Sequence, residues 1–124
     1  MIHGIHHISM KCGTPEELAA VKAFYCGLLG LAVIREWPEG VLIDTGGGLI
    51  EVFTNGEGVK SKGALRHLAF RVDDTDACAE MIRKAGYHVF LGPKDITAPV
   101  PARIAFCTGP LGEEIELFSE KAPD

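Results

Sequence analysis

Polar and apolar residues alternate along residues 4–12. His7, Ser9 and Lys11 fall on one parity; His6, Ile8, Met10 and Cys12 fall on the other. That period of two predicts a strand with one covered face, and it places His6 with the core or at its rim. The pattern then changes. Thr14 is a good N-cap, Pro15 suits the first helical position, and Glu17 stands where a capping box needs its acid. Leu18, Val21, Phe24, Tyr25, Leu28 and Leu29 recur at helical spacing, and Gly30 offers a left-handed stop. Short strands are predicted near 32–37, 41–45 and 48–54, with turns at Pro38–Gly40 and Gly46–Gly48.

After a polar, glycine-rich run the same order returns. A strand is predicted at 65–72, then a helix opened by Asp73, Asp74 and Thr75, running to about Lys84 and closed by Gly86. Strands are predicted near 87–91, 102–107 and 114–119. The stretch Gly92 to Pro101, with Pro93, Pro99 and Pro101, is too long for a tight hairpin and reads as a loop at the edge of a cleft. The chain is thus read as a single α+β domain of two tandem βαβββ modules. Module one covers about 1–55, a linker about 56–63, and module two about 64–120.

Composition narrows the partners. At 124 residues the chain can bury a core without cross-links. A formal net charge of −5 argues against nucleic acid or an anionic membrane surface as a partner. No apolar run approaches a membrane span, and the first residues show neither a charged leader nor an apolar signal core. Cys12, Cys26, Cys78 and Cys107 are scattered with no C-x-x-C pair, so they read as reduced thiols of a cytoplasmic protein.

The repeat also duplicates chemistry. His7 in His7-Ile8-Ser9-Met10-Lys11 matches His67 in His67-Leu68-Ala69-Phe70-Arg71. Glu51 in Leu49-Ile50-Glu51-Val52-Phe53 matches Glu116 in Glu114-Ile115-Glu116-Leu117-Phe118. Each of the four opposes an apolar strand face, so parity puts all of them on the side the helices leave uncovered. A lone strand histidine or glutamate is usually structural or solvated. Its recurrence at equivalent positions is what predicts a metal site of His7, Glu51, His67 and Glu116. Two neutral imidazoles and two carboxylates balance a divalent ion, and the mixed N/O set suits nickel, zinc, cobalt, manganese or iron. His3 and His88 have no counterpart in the repeat.

In His6-His7-Ile8-Ser9-Met10, Ala23 through Leu31, Ile50-Glu51-Val52-Phe53, Arg66 through Asp74 and Gly112 through Phe118, the chain resembles the vicinal oxygen chelate superfamily, over about residues 3–120. That superfamily includes glyoxalase I, methylmalonyl-CoA epimerase, extradiol dioxygenases, thiol-transferring fosfomycin resistance proteins and bleomycin-binding proteins. The resemblance implies a curved mixed sheet, a cup or partial barrel with helices outside, and assembly as a homodimer. The ligand order His, Glu, His, Glu looks like glyoxalase I. It implies a metal-dependent lyase or isomerase acting on a small substrate such as the hemithioacetal of a 2-oxoaldehyde, with glutathione or another thiol as partner. The alternatives are an acyl-CoA epimerase, a thiol transferase, a dioxygenase and a non-enzymatic small-molecule binder.

By the same resemblance Glu116 is the catalytic base, with Glu51 the pseudo-symmetric alternative. Asn55 matches a glutathione-binding asparagine, and Lys11 stands where the family tends to place an arginine. Arg103, with the proline-rich loop, is a further candidate for closing over substrate.

Overall fold

The computed structural model describes residues 1, 3, 5–55 and 67–121. The whole of the predicted linker and the first two residues of the strand predicted at 65–72 lie outside that range. Two units partition the chain, Met1–Ser61 and Lys62–Asp124.

In the first unit the order is β1 (His7–Lys11), α1 (Pro15–Val21), a π-helical segment (Lys22–Leu28), β2 (Ala32–Trp37), β3 (Gly40–Asp44) and β4 (Leu49–Phe53). The strands form a mixed sheet in the order β1-β4-β3-β2, parallel between β1 and β4 and antiparallel elsewhere. The second unit repeats this with β5 (Leu68–Arg71), α2 (Thr75–Lys84), β6 (Val89–Ile96), β7 (Ala102–Thr108) and β8 (Glu114–Glu120). Its sheet order, β5-β8-β7-β6, is the same path through space, again with one parallel pair, β5 and β8. Two four-stranded mixed sheets with few helices make this an α+β fold of the βαβββ kind.

Local chemistry explains the helix starts. The Thr14 hydroxyl accepts from the Glu17 backbone N–H at 3.1 Å, while the Glu17 carboxylate reaches past the cap to accept from the Gly13 N–H at 2.8 Å. Asp74 caps α2 by accepting from the Ala77 N–H at 3.0 Å. Gly30 and Gly86 close the two helical segments at φ +76° and +95°, a region that costs most residues a steric clash.

The first helix differs from the regular one its spacing predicts. After Val21 the turns widen, and the Leu29 N–H donates to the Phe24 carbonyl, five residues back. The wider turn accommodates both Phe24 and Tyr25, adjacent in sequence, as fully buried rings packed edge to face.

β6 also differs from expectation. It continues through Gly92 and Pro93 to Ile96, with register shifts on either side of Leu91, so that only 97–101 remain as loop. Bulges let a strand absorb a proline that cannot donate to the ladder.

One face of each sheet is buried. In the first, Val41, Ile43, Ile50 and Val52 are at most 1% exposed. Lys22, from the π-helical segment, pairs with Glu36, which aligns with Val41, so the helical segment reaches that same face. In the second, Ala79 and Ile82 of α2 and Ala105, Cys107, Ile115 and Leu117 of the sheet are buried. Thr75 is a buried polar residue. Its hydroxyl and that of Ser119 lie 2.8 Å apart and also meet the carbonyls of Arg103 and Val72, so two protons serve three contacts.

Candidate functional site

Parallel pairing of β1 with β4 aligns Ser9 with Glu51. His7 is two residues before Ser9 and therefore on the same face, diagonally across from Glu51. Its Nε2 stands 3.5 Å from Glu51 Oε1, with the carboxylate side chain 18% exposed. The other ring nitrogen is also engaged: His7 Nδ1 and His6 Nδ1 are 2.9 Å apart, the rings edge-on. His6, one residue before β1, is exposed beside His7, not in the core or at its rim as its parity predicts.

The second unit reproduces this arrangement. β5 pairs with β8 so that Ala69 aligns with Glu116, and His67, two residues before Ala69, again sits diagonally. His67 Nε2 lies 3.2 Å from Glu116 Oε1, and the Glu116 side chain is 12% exposed. Phe106, in register with Glu116, meets the His67 ring edge-on at 5.1 Å and restrains it.

The donor set fits a divalent ion. Two donors each about 2.1 Å from an ion stand about 3.0 Å apart at an octahedral angle and about 3.4 Å at a tetrahedral one. The spacings of 3.2 and 3.5 Å in the two His–Glu pairs lie at or close to that range. The His6–His7 contact holds one proton between two nitrogens. With His7 as its donor, Nε2 keeps its lone pair, the form that binds metal. Each pair supplies only two donors. Among the described residues, no group of three or more His, Cys, Asp or Glu is gathered that could hold a metal.

Lys11 lies exposed on the Glu51 face, in register with Phe53, and Asn55 is exposed two residues beyond β4. Arg103 is placed differently from the other candidates. It is in register with Ser119, one parity away from the Glu116–Phe106 pair, and so lies on the face bearing α2. There its guanidinium donates to both oxygens of Asp76 at 2.9 Å and approaches Asp95, which Lys121 also pairs at 2.9 Å. These cations hold the Asp76 and Asp95 carboxyls below the usual aspartate range. Arg103 thus serves a surface ion-pair network in this structure and does not join Glu116. Burial pushes the Cys107 thiol up to about 11, which keeps it protonated and unreactive at neutral pH.

Three residues on the Glu51 face were not singled out by the sequence. Arg35 aligns with Leu42, and Leu42 with Glu51; together with Trp37 they line a pocket of about 280 Å³. The alternation Arg35-Glu36-Trp37 was the signal available, since it places Arg35 and Trp37 together opposite Glu36.

Comparison with known proteins bears on the fold. Among curated proteins none matches the chain. Solved structures match almost end to end. A glyoxalase family protein from Enterococcus faecalis is 23% identical with a TM-score of 0.74, covering 94% of this chain and 97% of its own. A glyoxalase/dioxygenase from Nostoc punctiforme is 22% identical with a TM-score of 0.79, over 97% and 92%. An antibiotic binding protein from a Streptomyces species is 22% identical with a TM-score of 0.76, over 97% and 98%. At such identities they establish the shared fold. The family model covers residues 4–117, and with it the chain belongs to the Glyoxalase/Bleomycin resistance protein/Dioxygenase superfamily.

Proposed function

We propose that the chain is a metal-dependent lyase or isomerase of the glyoxalase type, with His7, Glu51, His67 and Glu116 sharing one divalent ion, nickel, zinc or cobalt before manganese or iron. The observation that carries this reading is the recurrence of one His–Glu approach, 3.5 Å in one unit and 3.2 Å in the other, at equivalent strand positions. A bound ion would act as a Lewis acid, stabilising negative charge that develops on the substrate's oxygens.

The chain's own residues do the rest. On a 2-oxoaldehyde hemithioacetal, a Glu116 oxygen takes the proton from the carbon bearing sulfur, and the C–H electron pair moves toward the neighbouring carbonyl. Glu116 then returns the proton to that neighbouring carbon while the hydroxyl proton on the sulfur-bearing carbon passes to the former carbonyl oxygen, giving a 2-hydroxythioester with no net gain or loss of atoms. Glu51 is the pseudo-symmetric alternative for this role. Lys11 and Asn55 are proposed to meet the thiol portion, with glutathione or another thiol as partner and a homodimer as the assembly.

The test is to strip the protein with chelator, restore each metal singly, and follow hemithioacetal isomerisation. Restored turnover with at least one metal is expected; inertness with all of them would remove the reading. A second reading, a small-molecule binder without catalysis, is favoured by the Arg35–Trp37 pocket, which is lined entirely by residues of one unit. It predicts ligand binding unchanged by chelator and no metal by elemental analysis.

A further inference from the structure

The open face of the first sheet carries more than the His7–Glu51 pair requires. Arg35, Leu42 and Glu51 stand in one row across β2, β3 and β4. The Arg35 backbone is therefore two strand spacings, roughly 10 Å, from that of Glu51. In the next row Trp37 aligns with Gly40. A Cβ on Gly40 would lie 2.5 Å from the indole, so the absence of a side chain there is what lets the ring lie against the sheet. Phe53, across from Gly40, meets the indole edge-on at 6.0 Å, and the Arg35 guanidinium sits over it at 5.8 Å. Among the described residues no carboxylate pairs with Arg35.

We infer that this pocket binds a small planar carboxylic acid, with its apolar body against Trp37 and Leu42 and its carboxylate on Arg35. The walls are an aromatic plane, an aliphatic side chain and one cation, a set that matches a conjugated or aromatic acid. A guanidinium grips a carboxylate through two parallel donors, which a lone ammonium cannot do. Glu51 closes the opposite wall and repels a second anion, so the acid is oriented with its charge at Arg35 and its uncharged end toward Glu51 and His7. The volume of about 280 Å³ lies at the lower limit of small-molecule sites, which selects a compact ligand over one of coenzyme size. Treating this acid as the outer part of the substrate rests on the proposed function above; its binding does not.

Trp37 is the one tryptophan of the chain, so its emission reports the pocket directly. Full-length protein in chelator would be titrated with benzoylformate and, separately, with its neutral methyl ester. A saturable emission change is expected with the acid, at least about tenfold tighter than with the ester. Arg35→Gln should bring the acid to the level of the ester, and Arg35→Lys should retain part of the preference. Equal binding of acid and ester by the unaltered protein, no saturable change, or an acid preference that survives Arg35→Gln would each overturn the inference. A chain that binds the acid yet isomerises nothing with any metal keeps the pocket and loses the proposed activity. One that isomerises a hemithioacetal but ignores the acid does the reverse.

Discussion

His67 Nε2 stands 3.2 Å from Glu116 Oε1, and the pair is reached by the same strand geometry that brings His7 to Glu51 in the other unit. In both, a parallel pair of strands sets the histidine two residues ahead of the residue aligned with the glutamate. Parallel pairing spaces its hydrogen bonds evenly, so a repeated sequence recreates the diagonal without further instruction.

The two carboxylates can be ranked by function. Glu116→Gln is expected to lower kcat/KM for hemithioacetal isomerisation by about 10²–10⁴-fold, the usual contribution of a positioned base. Glu51→Gln should cost less. Metal content of each variant, read by elemental analysis, separates loss of the base from loss of the ion. A larger loss at Glu51 would move the proton-transfer role there.

His6 orients His7 through the 2.9 Å contact between their Nδ1 atoms. His6→Ala is expected to weaken metal affinity about 10–100-fold, the range for partners of a ligating imidazole. Calorimetric metal titration measures this, and two-bond ¹⁵N correlations on the metal-free protein read the His7 tautomer. His6→Asn, which keeps an acceptor, should recover part of the loss. Unchanged affinity and tautomer in His6→Ala would show that the contact is incidental.

Thr75 is 1% exposed and its hydroxyl ties α2 to β7 and β8. Thr75→Val keeps the shape and removes the hydroxyl, leaving the Arg103 carbonyl without this donor. A loss of about 1–2 kcal/mol in urea unfolding is expected. A change near zero would mean that Ser119 satisfies the site alone.

The network of Arg103 with Asp76 and Asp95 gives a pH dependence of known sign. Both carboxyls titrate below the ordinary aspartate value of 3.8 in the folded chain. Their contribution to stability is therefore present above that value and lost as pH falls through the lower folded-state values. Unfolding measured from pH 6 downward should show stability dropping below about pH 4, with a shallower drop in Asp76→Asn. The two residues are exposed, so salt should blunt the effect. Identical acid profiles for the two proteins would discount the network.

The order of strands and helices, the cap at Thr14, the stops at Gly30 and Gly86, and the common face of each His–Glu pair were all legible in the sequence. Each rests on a local rule: a period of two, a period near four, or a turn that needs positive φ. Tertiary structure decided the rest. Strand register placed Arg35 and Leu42 in line with Glu51, and no local pattern encodes which residue of one strand meets which of another. The same register put Arg103 on the helix-bearing face, where Asp76 and Asp95 offered it partners distant in sequence. Pro93 read as loop because a proline breaks a ladder, yet flanking bulges let β6 run through it. His6 read as a core or rim residue because parity names the face of a strand, and only the packing decides how much of that face is covered; His6, one residue before β1, is left exposed.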